Sequence, residues 1–280
     1  MSPIHDQGYR RYRGRREPHG RRWWVITRAA IMQRLRERRF LALFLFAWAP
    51  FVVRAVQLYV ASSVAQASFL APTADTFREF LDQQSVFIFF ITIYAGAGLI
   101  ANDRRANALQ IYLSKPLTRV EYITGKLVAL LVFLTGVTWA PAILLLTLQM
   151  MFAGNTTFIR QNLFLFPAIT LFSAIQVFVS AFAMLALSSL SKSRRFVAIM
   201  YAAVVFFTAA MYQALRAMTG SSMWAWISPE DTLDVIADAV FRSPGNPAMP
   251  VPMAFAVVLV LIGGSIWILE RRVRAVEIVT

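Results

Sequence analysis

The chain of 280 residues is 58% hydrophobic and only 15% charged, and its formal net charge is +14. Soluble domains contain about 25% charged residues, so this composition excludes an ordinary soluble protein. Positive charge is typical of nucleic-acid binders, but here it lies between long uncharged runs at 127–159, 161–191 and 196–215. Runs of this length indicate membrane-spanning helices, so we expect a polytopic protein whose surroundings are the lipid bilayer rather than nucleic acid.

The N-terminal region is basic and polar. Residues 1–20 predict a disordered tail, too polar and too long for the start of a cleaved signal peptide. The chain has no cysteine, which excludes disulfides and thiolate metal sites, and its two histidines, His5 and His19, lie in this tail.

Residues 21–39 predict an amphipathic helix at the membrane interface. The apolar residues of this segment fall within about half of a helical wheel, and arginines supply the remainder. They are Trp23, Trp24, Ile26, Ala30, Ile31 and Leu35. Arg34 and Arg38 intrude on this arc. The alternative is a basic tail that only fixes the topology.

Six membrane spans follow and form a single transmembrane domain, 40–270, before a short C-terminal tail at 271–280. Their expected limits are 40–61, 84–101, 122–153, 163–190, 196–216 and 251–270. The third run is too long for a straight span, so it either projects from the bilayer or bends at Pro141. The fold class is therefore an all-α membrane protein.

The orientation follows from lysine and arginine in the short connections. Twenty-three of the 28 basic residues lie on the side that carries both termini, and the opposite connections are mainly acidic. We expect both termini to be cytoplasmic. On the outer side, Ser228 and Asp231 predict a capping box for a helix at 228–241, with Pro229 in its first turn.

The segment 100–127, between spans two and three, contains closely spaced helix signals. Asp103 is a possible cap for a short helix at 103–114, and Pro116 predicts its end. Thr118 and Glu121 form a capping box for the third span, and Leu117 with Tyr122 would supply the accompanying hydrophobic staple. We expect a short cytoplasmic helix joined rigidly to a spanning helix. An ordinary capped loop is the alternative.

This segment resembles the signature of ABC-2 type permeases, the membrane subunits of one class of ATP-binding-cassette exporters. The matching residues are Asp103, Leu109, Tyr112, Leu113, Pro116, Thr118, Arg119, Gly125 and Lys126. The chain departs from the pattern at Asn107 and Ala108, where the family prefers Gly-Thr, and at Gln110, where it prefers Glu. The layout of an interfacial helix, six spans and an outer helix between spans five and six also resembles that family.

The resemblance implies a half-transporter that pairs with a second permease subunit, as a homodimer or a heterodimer, and docks a cytoplasmic ABC ATPase. The 103–114 segment would be the coupling helix. Candidate contacts with the ATPase are Asp103, Arg104, Arg105, Leu109, Tyr112, Leu113, Pro116, Arg119 and Glu121. For the charged residues among them, local ion pairs or a solvated surface are alternatives.

The chain itself offers no nucleotide site. Gly125 and Lys126 do not belong to a phosphate-binding loop, because Val120 stands where the first glycine is needed and Leu127 replaces Ser or Thr. We therefore expect ATP and Mg²⁺ to bind only to the partner ATPase, with no cofactor, metal or catalytic residue in this chain. A lipid-modifying membrane enzyme and a non-transporting scaffold or sensor are the competing functions. The substrate is not indicated.

Overall fold

The computed structural model describes residues 22–63, 73–108, 117–153, 163–243 and 248–273, and all regular structure within them is helical. The α-helices are α1 (Arg22–Leu35), α2 (Arg38–Phe46), α3 (Ala49–Ser63), α4 (Ala74–Ile91), α5 (Ala101–Arg105), α6 (Arg119–Val137), α7 (Trp139–Ala153), α8 (Leu165–Leu190), α9 (Arg194–Thr219), α10 (Pro229–Phe241) and α11 (Val251–Arg272). A π-helical turn, Thr92–Gly96, follows α4, and a 3-10 turn, Ser222–Ile227, precedes α10.

Among the described residues, six helical stretches are long and apolar enough to cross a membrane, which confirms the six-span fold. They are Arg38–Ser62, Asp75–Arg105, Arg119–Phe152, Leu165–Leu190, Arg194–Thr219 and Val251–Arg272, called spans one to six below. Five of them agree closely with the sequence prediction. Span two begins about nine residues earlier than predicted, because its first turns carry Asp75, Arg78 and Asp82 and hydropathy detects only its apolar part.

Spans two and four form the centre of the bundle. In the most apolar 18 residues of each span, 61% are buried inside the protein in span two and 56% in span four. The corresponding fraction is 11% in span one and 17% in each of spans five and six. The central spans therefore hold the fold together through protein contacts, whereas most of the outer three faces away from the chain.

Span two is interrupted near one end. After the π-helical turn the chain turns at residues 97–100 and becomes helical again in α5. Gly96 permits a close approach to span four, because a Cβ atom there would lie only 2.4 Å from Met184 Cγ. π-Helical turns insert an extra residue into a helix and are frequent at functional positions.

Span three bends close to Pro141, which is one of the two alternatives that the sequence left open for this long run. Its two helices, α6 and α7, meet at Thr138, whose φ and ψ are −108° and −75°. Pro141 has no N–H to donate to the carbonyl of Val137, so the helical ladder opens three residues before the proline.

Helix α10 lies at the opposite end of the bundle from α1 and packs against spans two, four, five and six. Ser228 caps it by accepting a hydrogen bond from the Asp231 N–H, as predicted. The predicted reciprocal bond does not form, because the Ser228 N–H donates to the Ala225 carbonyl instead. The end with α1 and α5 is called the basic end below, and the end with α10 the acidic end.

Candidate functional site at the basic end

Helix α1 packs along the first half of span three. The Thr27 hydroxyl lies 2.9 Å from the Gly125 carbonyl and 3.0 Å from that of Trp23, and both oxygens are acceptors for it. Gly125 makes this approach possible, since a Cβ atom there would lie 2.8 Å from Trp23 O and 2.9 Å from Ile26 Cβ. The two helices are therefore in backbone contact.

The side of α1 that faces the protein agrees with most of the predicted apolar arc, since Ile26, Ala30 and Ile31 all belong to or pack against the main apolar cluster. Thr27, Ala30 and Arg34 are buried, whereas Trp24 and Leu35 are exposed. Arg34 is retained in this position by an ion pair with Glu37 of 2.6 Å. A helix is thus present at the predicted position, and only the edge of its apolar arc that carries Trp24 and Leu35 points away from the chain. Its location at the membrane interface stays a prediction.

Asp103 joins the end of span two to the start of span three. Its Oδ2 atom lies 2.8 Å from Lys126 Nζ and accepts a hydrogen bond of 2.7 Å from the Tyr122 hydroxyl. Lys126 is buried and lies 5.6 Å from the centre of the Tyr122 ring. Because a charge left alone at such a site is costly, the pair fixes the two helices relative to each other.

The start of span three has the predicted cap. The Glu121 N–H donates to Thr118 Oγ1 over 3.2 Å, and the Thr118 N–H donates to Glu121 Oε2 over 2.8 Å. Leu117 and Tyr122 both pack into the same apolar cluster, as a hydrophobic staple requires. The orientation in which the chain enters span three is therefore defined by local contacts.

Spans four and five complete this end of the molecule. Ser188 Oγ accepts the N–H groups of Ile100 and Ala101, both over 3.1 Å, and donates to the Ala97 carbonyl over 3.0 Å. The Arg104 guanidinium donates to the Ser189 carbonyl. Arg194 donates to the Tyr94 carbonyl over 2.9 Å, so the interrupted part of span two is bound on both sides.

Helices α1 and α5 thus both contact the start of span three, α1 through Gly125 and α5 through the Asp103–Lys126 pair, at one end of the six-span bundle. A sequence model described as "ABC-2 family transporter protein" matches residues 24–268, which includes all of these elements. The chain belongs to this ABC-2 transporter family. It is accordingly a permease subunit of an ABC transporter and a multi-pass membrane protein, of a kind that works with an ATPase subunit. No curated protein matches it significantly.

In this ABC-2 permease, the family-like residues near α5 have structural explanations. Asn107 adopts φ of 51°, a left-handed conformation that glycine and asparagine tolerate best. The departure from the glycine that the family prefers is therefore conservative in conformation. Gly125 makes the contact with α1, and Lys126 pairs with Asp103.

The prediction that Asp103 caps a helix starting there was wrong. Asp103 lies inside α5, which starts at Ala101 and ends at Arg105, and its carboxylate binds Lys126 and Tyr122 instead of backbone N–H groups. The left-handed Asn107 separates α5 from Ala108, which is helical again. Leu109, Tyr112, Leu113 and Pro116 lie outside the described residues.

The charged candidates of this permease divide into two groups. Asp103, Arg104 and Glu121 have partners within the chain. Arg105 and Arg119 are exposed, and neither forms a salt bridge in the part of the chain that the structure describes. Sequence reasoning missed Thr27, Ser188 and Arg194, because their partners are 88 to 100 residues away along the chain.

Proposed function

We propose that this chain is the membrane half of an ABC exporter that pairs with a second permease subunit and is driven by a separate cytoplasmic ATPase. The partner ATPase binds ATP and Mg²⁺ and docks at the basic end, through α1 and the segment that follows α5. In this proposal the basic end and both termini are cytoplasmic, and the protein resides in the cell membrane.

The backbone contact between α1 and span three at Gly125 supports this proposal most directly. A force applied to α1 reaches span three through that contact, and a force applied beyond α5 reaches it through the Asp103–Lys126 pair. Because span three is already bent at Thr138, its two halves have a point at which they can tilt separately. Exposed Arg105 and Arg119 lie beside this unit and can contact acidic side chains of the ATPase.

The test is purification from native membranes in mild detergent, followed by mass determination and an ATPase assay. We expect a complex with an ATP-binding-cassette subunit and vanadate-sensitive hydrolysis. Tyr112→Asp and Leu113→Asp should each release or uncouple the ATPase while the permease still inserts, because the proposed docking anchor becomes charged.

The matched control is Met223→Asp, which places the same charge on an exposed apolar residue at the opposite end. It should leave ATPase association intact. Normal association in both coupling-segment variants would contradict the docking proposal. A stable protein without any ATPase would favour the enzyme or scaffold alternatives instead.

A further inference from the structure

Two adjoining cavities lie at the acidic end, between α10 and the spans. They share the lining residues Ser85, Gln176, Glu230 and Leu233 and are together called the acidic chamber. Its polar part, about 100 Å³, is also lined by Arg78, Asp82 and Asp234. Its apolar part, about 120 Å³, continues between spans two, four, five and six, with Ile88, Phe89, Val179, Val204 and Leu261 in the wall.

The polar part of the chamber has more acidic than basic side chains in its lining. Arg78 is already paired with Asp238, at 2.6 Å between Nε and Oδ1. Asp82, Glu230 and Asp234 are all exposed, and in the described part of the chain none of the three forms a salt bridge. Three carboxylates accessible from solvent therefore surround a cavity whose one arginine is already engaged.

Gln176 on span four adds an independent indication of a ligand. Its side chain lines both parts of the chamber and is only 5% exposed, and its Oε1 atom has no hydrogen-bond partner among the residues that the structure describes. Buried polar atoms are nearly always paired, because an unpaired one loses its hydration without compensation. The Gln176 Oε1 atom in the wall of the chamber can therefore accept a hydrogen bond from a donor group of a bound ligand.

We propose that the acidic chamber binds an amphipathic organic cation with a primary ammonium group. The ammonium group lies among Asp82, Glu230 and Asp234 and donates to Gln176 Oε1, and the apolar body of the ligand occupies the apolar part beside Ile88 and Phe89. Among the described residues no three acidic or histidine side chains converge closely enough to hold a metal ion. An ammonium group attached to an apolar body does not need such close convergence, so it fits these three carboxylates better than a metal ion does.

The pKa values of Asp234 and Glu230 agree with this assignment. Although the side chain of Asp234 reaches solvent, its partial burial, followed by repulsion from Asp82, raises the pKa of Asp234 to about 7, while Arg78 opposes the shift and Asp231 and Asp238 add to it. The pKa of Glu230 is also raised, by burial and then by Asp231 and Asp82. Span four contributes two neutral side chains, Phe172 and Gln176, at this level. The surroundings of Glu230 and Asp234 thus disfavour their negative charges, and a bound cation relieves that cost.

The probe for the test is dansylcadaverine, a primary ammonium joined to an apolar fluorophore. The purified permease is placed in phosphatidylcholine nanodiscs without an ATPase, and dansyl fluorescence is titrated. We expect saturable binding. The matched neutral probe, N-pentyl dansylamide, carries the same fluorophore without the charge and should bind roughly tenfold more weakly or worse, since it lacks the charge-assisted hydrogen bonds. Equal binding of the two probes would overturn the proposal.

Three variants locate the site. Glu230→Gln, Asp234→Asn and Gln176→Leu should each weaken dansylcadaverine binding by about three- to thirtyfold, because each removes a partner of the ammonium group. The control is Glu79→Gln, which removes an exposed carboxylate at the same end that is paired with Arg54 outside the chamber. The affinity of Glu79→Gln for dansylcadaverine should equal that of the unaltered protein. If Glu79→Gln weakened binding as much as Asp234→Asn did, nonspecific surface charge would be the explanation. A cooperative thermal unfolding transition in each variant, close to that of the unaltered protein, shows that the loss of binding is not caused by loss of fold.

The pH dependence gives a second readout. Below pH 7 Asp234 is mainly protonated and neutral, and above it the carboxylate is charged, so the affinity should rise with pH through a midpoint near 7. The alkyl amine of the probe, like that of lysine, keeps its proton until about pH 10. This rise should disappear in Asp234→Asn, and its persistence there would contradict the role of Asp234.

The identification of such a cation as the transported substrate rests on the proposed function, whereas binding does not. If the probe fails to bind while a purified complex hydrolyses ATP, only the chamber proposal falls. If the probe binds while no ATPase associates, the transport proposal falls and the chamber remains a cation-binding site.

Discussion

Single residues decide how closely the helices of this permease approach one another. Gly125 is in backbone contact with α1, and Gly96 lies against Met184, so side chains at these positions would collide with neighbours. Gly263 and Gly264 in span six are different, because an added Cβ at either meets nothing within 4 Å in the described part of the chain.

This contrast predicts opposite effects of the same substitution. Gly125→Ala should lower the free energy of unfolding by about 1–3 kcal/mol, because α1 must shift to accommodate the new atom. Gly263→Ala should raise it by about 0.5–1 kcal/mol, since alanine is the better helix former. Unfolding in graded detergent mixtures measures both, and faster hydrogen exchange in 22–35 should accompany Gly125→Ala alone. Equal effects of the two substitutions would contradict the packing of α1 on span three.

At the scale of elements, the interrupted end of span two depends on span four. The turn at 97–100 leaves backbone groups without partners in its own helix, and Ser188 satisfies three of them. Backbone polar groups that are not paired in a membrane protein are costly, so the interruption is possible only where a neighbouring helix supplies partners. The position of α5, and therefore of the segment beyond it, is set by this contact.

Ser188→Ala should consequently destabilise the protein by about 2–5 kcal/mol, because two buried N–H groups lose their acceptor. The neighbouring Ser189→Ala is the control, since the Ser189 hydroxyl donates only to the Ala186 carbonyl of its own helix. Its cost should stay below about 1 kcal/mol. Unfolding midpoints of both variants in the same detergent series test the difference, and similar costs would indicate that Ser188 does not support the turn.

The whole molecule has a clear polarity of charge between its two ends. Lysines and arginines are concentrated at the basic end, while α10 and the start of span two supply acidic groups at the other. Basic connections are retained in the cytoplasm during insertion, which orients a polytopic protein. The same polarity places the proposed ATPase contacts and the acidic chamber on opposite faces of the membrane.

The absence of native cysteine makes this orientation straightforward to test. Met223→Cys and Lys192→Cys introduce single thiols at exposed positions of the acidic and basic ends. In intact cells a membrane-impermeant maleimide should label Met223→Cys, and it should label Lys192→Cys only after permeabilisation. The reverse pattern would mean that the basic end faces outward and would contradict docking of a cytoplasmic ATPase there.

The sequence by itself determined the fold class, the six spans and the caps at Thr118 and Ser228, and it indicated a bend at Pro141 as one of two alternatives for span three. These features depend on interactions between residues at most a few positions apart, or on the length of an apolar run, and both can be read along the chain. The family signature could also be recognised, because several of its residues lie within one short segment.

Only the tertiary structure decided which faces meet. Lipid tails are as apolar as leucine, so hydrophobic periodicity cannot distinguish a side facing lipid from one facing another helix. For this reason the exposure of Trp24 and Leu35 on α1 was not predicted. Asp103 was assigned to a cap, whereas its partner is Lys126, 23 residues further along. The acidic chamber, too, exists only because folding brings Asp82, Gln176 and Glu230 from three distant helices to the wall of one cavity.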